Sequence, residues 1–386
     1  MDATNPEDEA MKAMVRELEA RLIRASSAVE CLAVLIELAE AHADAHRNRE
    51  GLRCAREALN IARVRNDPVA TGRALAAVGR CQFQKGDYAA AVAAGLGAVD
   101  GFDGRDLPRR SRALQDVARA LVAVESYDLA EEIAERAAVD ALRGGDAATE
   151  ARARTLWGSV LAQRDRFGAA RRQFREAGAI QRRLGDTTLL KRSASSIAEG
   201  YRIQGNESLR AGNLAQARLQ WRQAIRVYRV AIGTGTCAAD DAMAHAAIAE
   251  CECRLERPEQ ALAEVRRGLE HALLSRSPLV LARCHLWESH ALKALGRLED
   301  ARAAIERARD AAEQLDHAAI LAECLKAESM LNDLAGRFES AQDLEQRAER
   351  VAMEREAFFA RVRDEVAMLW SRHVEPRDPV SLRVVA

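Results

Sequence analysis

Long stretches of the chain place apolar residues three and four positions apart, with polar and charged residues between them. That spacing puts the apolar side chains on one face of an α-helix. Met11, Val15, Leu18, Leu22 and Ala25 follow it near the start, and Phe359, Val362, Val366, Leu369 and His373 follow it near the end. Between Gly79 and Ala98 the pattern predicts two helices joined tightly. Gly79 lets the second helix approach the first. Gly86 tolerates the positive φ of a helix end, Asp87 caps the next start, and Tyr88 fills the corner.

The same arrangement recurs. Anchor residues Gly51, Ala91, Ala130, Ala170, Ala217, Ala261, Ala301 and Ala341 step by 40, 39, 40, 47, 44, 40 and 40 positions. Each has one small residue twelve before it and another seven after it, and all of these are Ala, Gly or Ser. A fixed period of this size means repeated helix pairs stacked as a solenoid. The seven residues added before Ala217, within 187–198, amount to about two helical turns. They lengthen a first helix without rotating its faces. The sixth repeat follows Gly233-Thr234-Gly235-Thr236, which is either a hinge or a tolerated loop insertion.

The small triplets, the corner residues Tyr88, Tyr127, Phe167, Leu214, Leu298 and Phe338, and Phe174 and Trp221 inside second helices resemble the tetratricopeptide repeat family. The resemblance is to a longer, forty-residue bacterial-type variant and covers roughly 28–350. It implies an all-α, right-handed α-solenoid of about eight helix pairs with capping helices at both ends. It also implies a scaffold or regulator, and it assigns the first helix of each pair, at repeat positions 2, 5, 9 and 12, to a concave groove. On those positions the expected partner-binding residues are Arg73, Arg80, Arg112, Gln115, Arg119, Arg152, Thr155, Arg202 and Asn206. Arg73, Arg112 and Arg152 recur at 39 and 40 residues, and Arg80 and Arg119 at 39, which suits an acidic or carboxylate-bearing segment. The family's clamp for chaperone C-termini is matched by Arg202, Asn206 and Arg283 but broken by Ala247 and Trp287. No heat-shock adaptor is therefore expected. Bacterial sensors of this fold add a DNA-reading module or an output enzyme. Neither pattern is present, so an output is expected from a partner.

The termini frame the solenoid. Asn5-Pro6 reads as a helix start, giving a tail and capping helix over 1–27. Gly and Pro are absent from Asp343 to His373, so a long helix is expected, with 351–373 beyond the repeats and a loose tail over 374–386. Its seam of Phe359, Val362, Val366 and Leu369 either caps repeat eight, or forms a homodimer, or docks on a separate signalling enzyme.

Charge narrows the partners. Charged residues make up 30% of the chain, but the net charge is −1. The balance argues against general nucleic-acid or membrane-surface binding. There is no signal peptide and no membrane-length apolar run, so a cytoplasmic protein is expected. The eight cysteines lack framework spacing and read as reduced thiols. No catalytic constellation, metal site or cofactor loop is selected. His285 and His290 are five apart and face different ways. His42 and His46 lack a third ligand. Cys251 and Cys253 do not have metal or redox spacing. The expectation is a non-enzymatic protein- or peptide-binding protein that needs no cofactor.

Overall fold

Several helices begin where a turn residue releases the chain and a polar side chain restarts it. Gly86 has φ of +79°, and the Asp87 carboxylate next to it accepts the Ala90 N–H at 3.2 Å. Asp67, Asp106 and Asn213 cap later helices in the same way, at 2.9 to 3.1 Å. Pro68, Pro108 and Pro278 occupy first-turn positions, where a missing N–H costs nothing. Phe83 meets Tyr88 edge-on at 5.8 Å across the corner.

The computed structural model describes residues 6–44, 47–104, 106–233, 238–275, 277–315 and 317–374. Asn5, His46, Thr234–Thr236 of the Gly-Thr turn, Cys237 and the tail after Val374 lie outside the described residues. Among those described the secondary structure is helical throughout, in seventeen helices. After α1 (Pro6–Arg24) come eight pairs: α2 (Ala28–Asp44) with α3 (Asn48–Val64), α4 (Pro68–Gln84) with α5 (Tyr88–Phe102), α6 (Leu107–Ala123) with α7 (Tyr127–Arg143), and α8 (Ala147–Gln163) with α9 (Phe167–Leu184). Next are α10 (Thr187–Arg210) with α11 (Leu214–Ala231), α12 (Ala238–Arg254) with α13 (Pro258–Ser275), α14 (Pro278–Ala294) with α15 (Leu298–Gln314), and α16 (Ala318–Leu334) with α17 (Phe338–Val374). The protein is an all-α tetratricopeptide-like solenoid of eight helix pairs. Every residue of the eight small triplets is buried. Small side chains there let the helices close on one another, so alanine makes up much of the core.

The chain forms two compact units: residues up to Leu156 together with those from Phe359 onward, and Trp157–Phe358. In the first unit α1 packs on α2, burying Val15 and Leu18 in a cluster with Leu32 and Leu35. The last part of α17 belongs to this unit as well. Val366 is fully buried, Phe359 and Val362 are buried, and Leu369 is half-buried. Arg363 Nη1 donates to the Val124 carbonyl at 3.1 Å. The Arg136 guanidinium lies 5.6 Å over Trp370, and His373 Nδ1 is 3.5 Å from an Asp100 carboxylate oxygen. This segment therefore seats on α5, α7 and the turn between α6 and α7. Phe359, Val362 and Val366 of the seam are thus buried within the first unit.

In the second unit α10 runs for 24 residues against 17 for α8, which absorbs the seven added positions as extra helix. Gly205 on α10 faces Trp221 on α11, and a Cβ at Gly205 would lie 2.5 Å from the indole. Trp221 is 1% exposed as a result and centres a cluster with Ala224, Ile225, Tyr228 and Ile248. Gly158 gives Phe174 the same room one repeat earlier.

Candidate functional site

Positions 2, 5 and 9 of the repeats fall on the first helix of each pair. In the first unit these helices are α2, α4, α6 and α8. Arg73 on α4 reaches back one repeat, its Nη2 3.1 Å from Glu40 on α2. Arg112 on α6 reaches forward, donating to an Asp146 oxygen at 3.1 Å and to the Thr149 hydroxyl at 3.1 Å. Asp146 also takes the Thr149 amide and hydroxyl at the start of α8. Partial burial pushes its carboxyl upward, but the Thr149 bonds and Arg112 outweigh that and hold it below its ordinary value. Arg152 donates to the same Thr149 hydroxyl at 3.0 Å. Arg119 pairs with Asp116 one turn earlier on its own helix, at 2.5 Å. Arg80 is half-buried on α4.

Two expected lining residues are differently placed. Gln115 is 2% exposed and donates to Ser111, whose hydroxyl bonds the Ala137 carbonyl on α7. It is an interior residue between α6 and α7 and does not line a surface. The Thr155 hydroxyl is turned back onto the Ala151 carbonyl of its own helix.

In the second unit the first-helix face carries a denser network. Arg202 Nη1 donates to both oxygens of Glu250 at 2.8 Å, and its Nε donates to Glu199 at 2.8 Å. The Tyr228 hydroxyl donates to Glu199 at 2.7 Å. Asn206 donates to Glu250 at 3.4 Å and accepts the Trp221 indole N–H at 3.1 Å. Arg254 donates to Glu250 at 3.2 Å and lies 5.9 Å over the Trp221 ring. Farther along, Arg283 on α14 reaches Glu323 on α16 at 3.3 Å, and Trp287 packs on His290 at 4.8 Å. Burial raises the Glu199 carboxyl, but the charge and hydrogen bonds of Arg202 overcome it and leave it below its usual range. Burial lifts the Tyr228 phenol well above its ordinary value, and Glu199 adds to the rise. Burial, with Lys293 and Arg254 nearby, pushes His290 down to about 4. Burial likewise raises Glu323.

Arg202 and Asn206, expected as lining residues, share this network with Glu199, Tyr228, Glu250 and Arg254, which the sequence reading did not single out. The signal was present in part. Glutamates stand at position 2 of repeat five and position 9 of repeat six, on either side of Arg202. The Tyr228 hydroxyl could not be found this way, because it comes from a second helix. Among the described residues no three His, Cys, Asp or Glu side chains converge as a metal-holding group. The seven described cysteines are free thiols, and burial pushes Cys253, Cys284 and Cys324 up to about 12. No helix among the described residues is long and apolar enough to cross a membrane.

No protein-family model matches the chain, and no curated protein matches it. Solved structures do. A Rap protein complexed with competence and sporulation factor superposes with a TM-score of 0.60 at 14% identity, over 90% of this chain and 94% of that one. The apo form of the quorum sensor NprR from B. thuringiensis gives 0.59 at 12% identity, over 90% and 94%. Aspartyl phosphate phosphatase F from Bacillus subtilis gives 0.58 at 12% identity, over 90% of each chain. At such identities the likeness is one of fold, an all-α solenoid of tetratricopeptide-like helix pairs.

Proposed function

We propose that this protein is a non-enzymatic cytoplasmic regulator that holds a peptide, or a segment of a partner protein, against the first-helix face of its repeats. The observation that carries this reading is the network around Arg202. A half-buried set of charges is less favourable for stability than an apolar face of the same shape. Here it occupies the positions that repeats of this kind turn toward a ligand. Two proteins of the same fold support the reading. One is complexed with competence and sporulation factor, and a Rap conjugation regulator is complexed with the Phr* peptide. The free thiols suit a reducing compartment.

The finer reading is a ligand that carries carboxylates. Arg73, Arg112 and Arg119 hold Glu40, Asp146 and Asp116 as internal counter-ions at the surface. A ligand carboxylate would exchange with them, and Arg fits carboxylates bidentately. The test starts with a pull-down from the native cell and identification of the partner by mass spectrometry. Calorimetry on that partner follows, with Arg112→Glu combined with Arg119→Glu. The double reversal should leave helicity unchanged and weaken binding by about 2–4 kcal/mol. Equal affinity for the two proteins at low salt would remove the acidic ligand. A partner unaffected by Arg202→Met as well would remove the first-helix face.

A further inference from the structure

We propose that the exposed face of the second helices α9, α11 and α13 is a separate docking surface for the acidic, partly apolar face of a partner protein. It lies on the other helix of each pair from the first-helix arginines discussed above, with only the buried Trp221 and Tyr228 side chains shared through α11, and stands without that reading.

The charge is concentrated. α9 and α11 together carry nine arginines and one acid, Glu176, in a chain whose acidic and basic residues are otherwise balanced. An arginine-rich composition accounts for arginines but not for the missing acids on α9 and α11; α13 adds Arg266 and Arg267 beside Glu259, Glu264 and Glu270, and Glu264 already pairs with Arg229 and Arg267. The arrangement is also in register. Arg175, Arg222 and Arg266 occupy the same position, five beyond the anchor, in three successive repeats. In repeats three and seven that position is Glu135 and Glu306, so the row has two ends. All three arginines are exposed, and no acidic side chain pairs with them among the described residues. Rows of like charge repel and oppose folding slightly, so a row left without counter-ions fits a surface that is neutralised by a ligand.

The chemistry favours a protein over nucleic acid or lipid. Leu219 is 48% exposed and Val230 63%, both on α11 between the arginines. Arginine interspersed with exposed aliphatic residues is the composition of a protein interface. The rings of Phe174, Trp221 and Tyr228 on these helices are buried and that of Phe167 is half-buried, which offers bases no fully exposed stacking platform and a bilayer surface no fully exposed aromatic anchor.

The probe is a labelled amphipathic peptide with glutamate and leucine on one face, followed by fluorescence anisotropy on the full chain. A single-stranded RNA oligonucleotide and phosphatidylglycerol vesicles are run beside it. The combined variant Arg175→Glu, Arg222→Glu and Arg266→Glu should keep its circular dichroism and bind the peptide about tenfold or more weakly. The corresponding lysine variant should retain part of the affinity, since charge survives while the bidentate geometry is lost. Added salt should weaken peptide binding by the unmodified chain, a check that holds even if the variant fails to fold. Peptide affinity within about twofold of the original in the glutamate variant, or insensitive to salt, overturns the proposal. So does tighter binding of the oligonucleotide or the vesicles through the same three arginines.

Discussion

Replacing Arg202 by Met tests whether the network of the second unit is one interacting set. The guanidinium is 21% exposed and holds Glu250, 7% exposed, and Glu199, 39% exposed. Without it Glu250 keeps only the longer contacts to Arg254 at 3.2 Å and Asn206 at 3.4 Å. Removing one partner from a buried ion pair costs about 3–5 kcal/mol. Glu199 is wet enough that water takes up part of its loss, so about 3 kcal/mol is expected. For a unit of this size that corresponds to a fall in Tm of about 6–12 °C. Adding Glu250→Leu removes the stranded carboxylate, so the double variant should recover about 2 kcal/mol relative to the sum of the single changes. Urea unfolding followed by tryptophan emission measures this, because the Trp221 indole is bonded into the same network. If Arg202→Met costs less than about 1 kcal/mol, or if the two changes simply add, the residues act separately and the reasoning fails.

Three further outcomes are expected. Because burial depresses His290 to about 4, below its ordinary value of 6.5, the unfolded chain binds the proton first as pH falls. That part of the stability is complete above pH 6.5 and is lost progressively toward pH 4, by up to about 3 kcal/mol. His290→Leu should flatten the decline in a pH series of urea midpoints. Under native conditions at pH 8 iodoacetamide should leave Cys251, Cys284 and Cys324 unlabelled, since burial raises all three thiols, and peptide mass spectrometry checks it. Val366→Ala should destabilise the first unit by about 1–3 kcal/mol through the cavity it leaves at a fully buried site, which hydrogen exchange of α7 amides would report.

The repeat period and the small triplets made the fold legible, because close helix approach permits only Ala, Gly or Ser at those places. The helix extension of α10 was legible for the same reason, since seven residues preserve the facing of every side chain. The seat of α17 was not. Periodicity shows that Val366 is buried but carries no address, and the residues met by Arg363, Trp370 and His373 around it, Val124, Arg136 and Asp100, lie more than two hundred positions away. Register exposed the arginine rows at positions 2 and 9, yet it carries no side-chain distances and could not show that Glu40, itself at position 9, and Asp146 and Asp116 already engage them. Gln115 is interior, bonded to the buried Ser111, which repeat position alone did not show.

Several ion pairs join one repeat to the next: Arg73 to Glu40, Arg112 to Asp146, Arg202 to Glu250 and Arg283 to Glu323, as described above, and Arg218 to Glu256 at 3.1 Å. In a stack whose stability is the sum of repeat terms and junction terms, they strengthen the junctions. Their exposed members weaken with salt, whereas the alanine-lined contacts inside each pair do not. Ionic strength therefore acts as a dial on cooperativity. At low salt neighbouring repeats melt together, and at high salt the same chain unfolds over a broader range, repeat by repeat, with its helices individually no weaker than before.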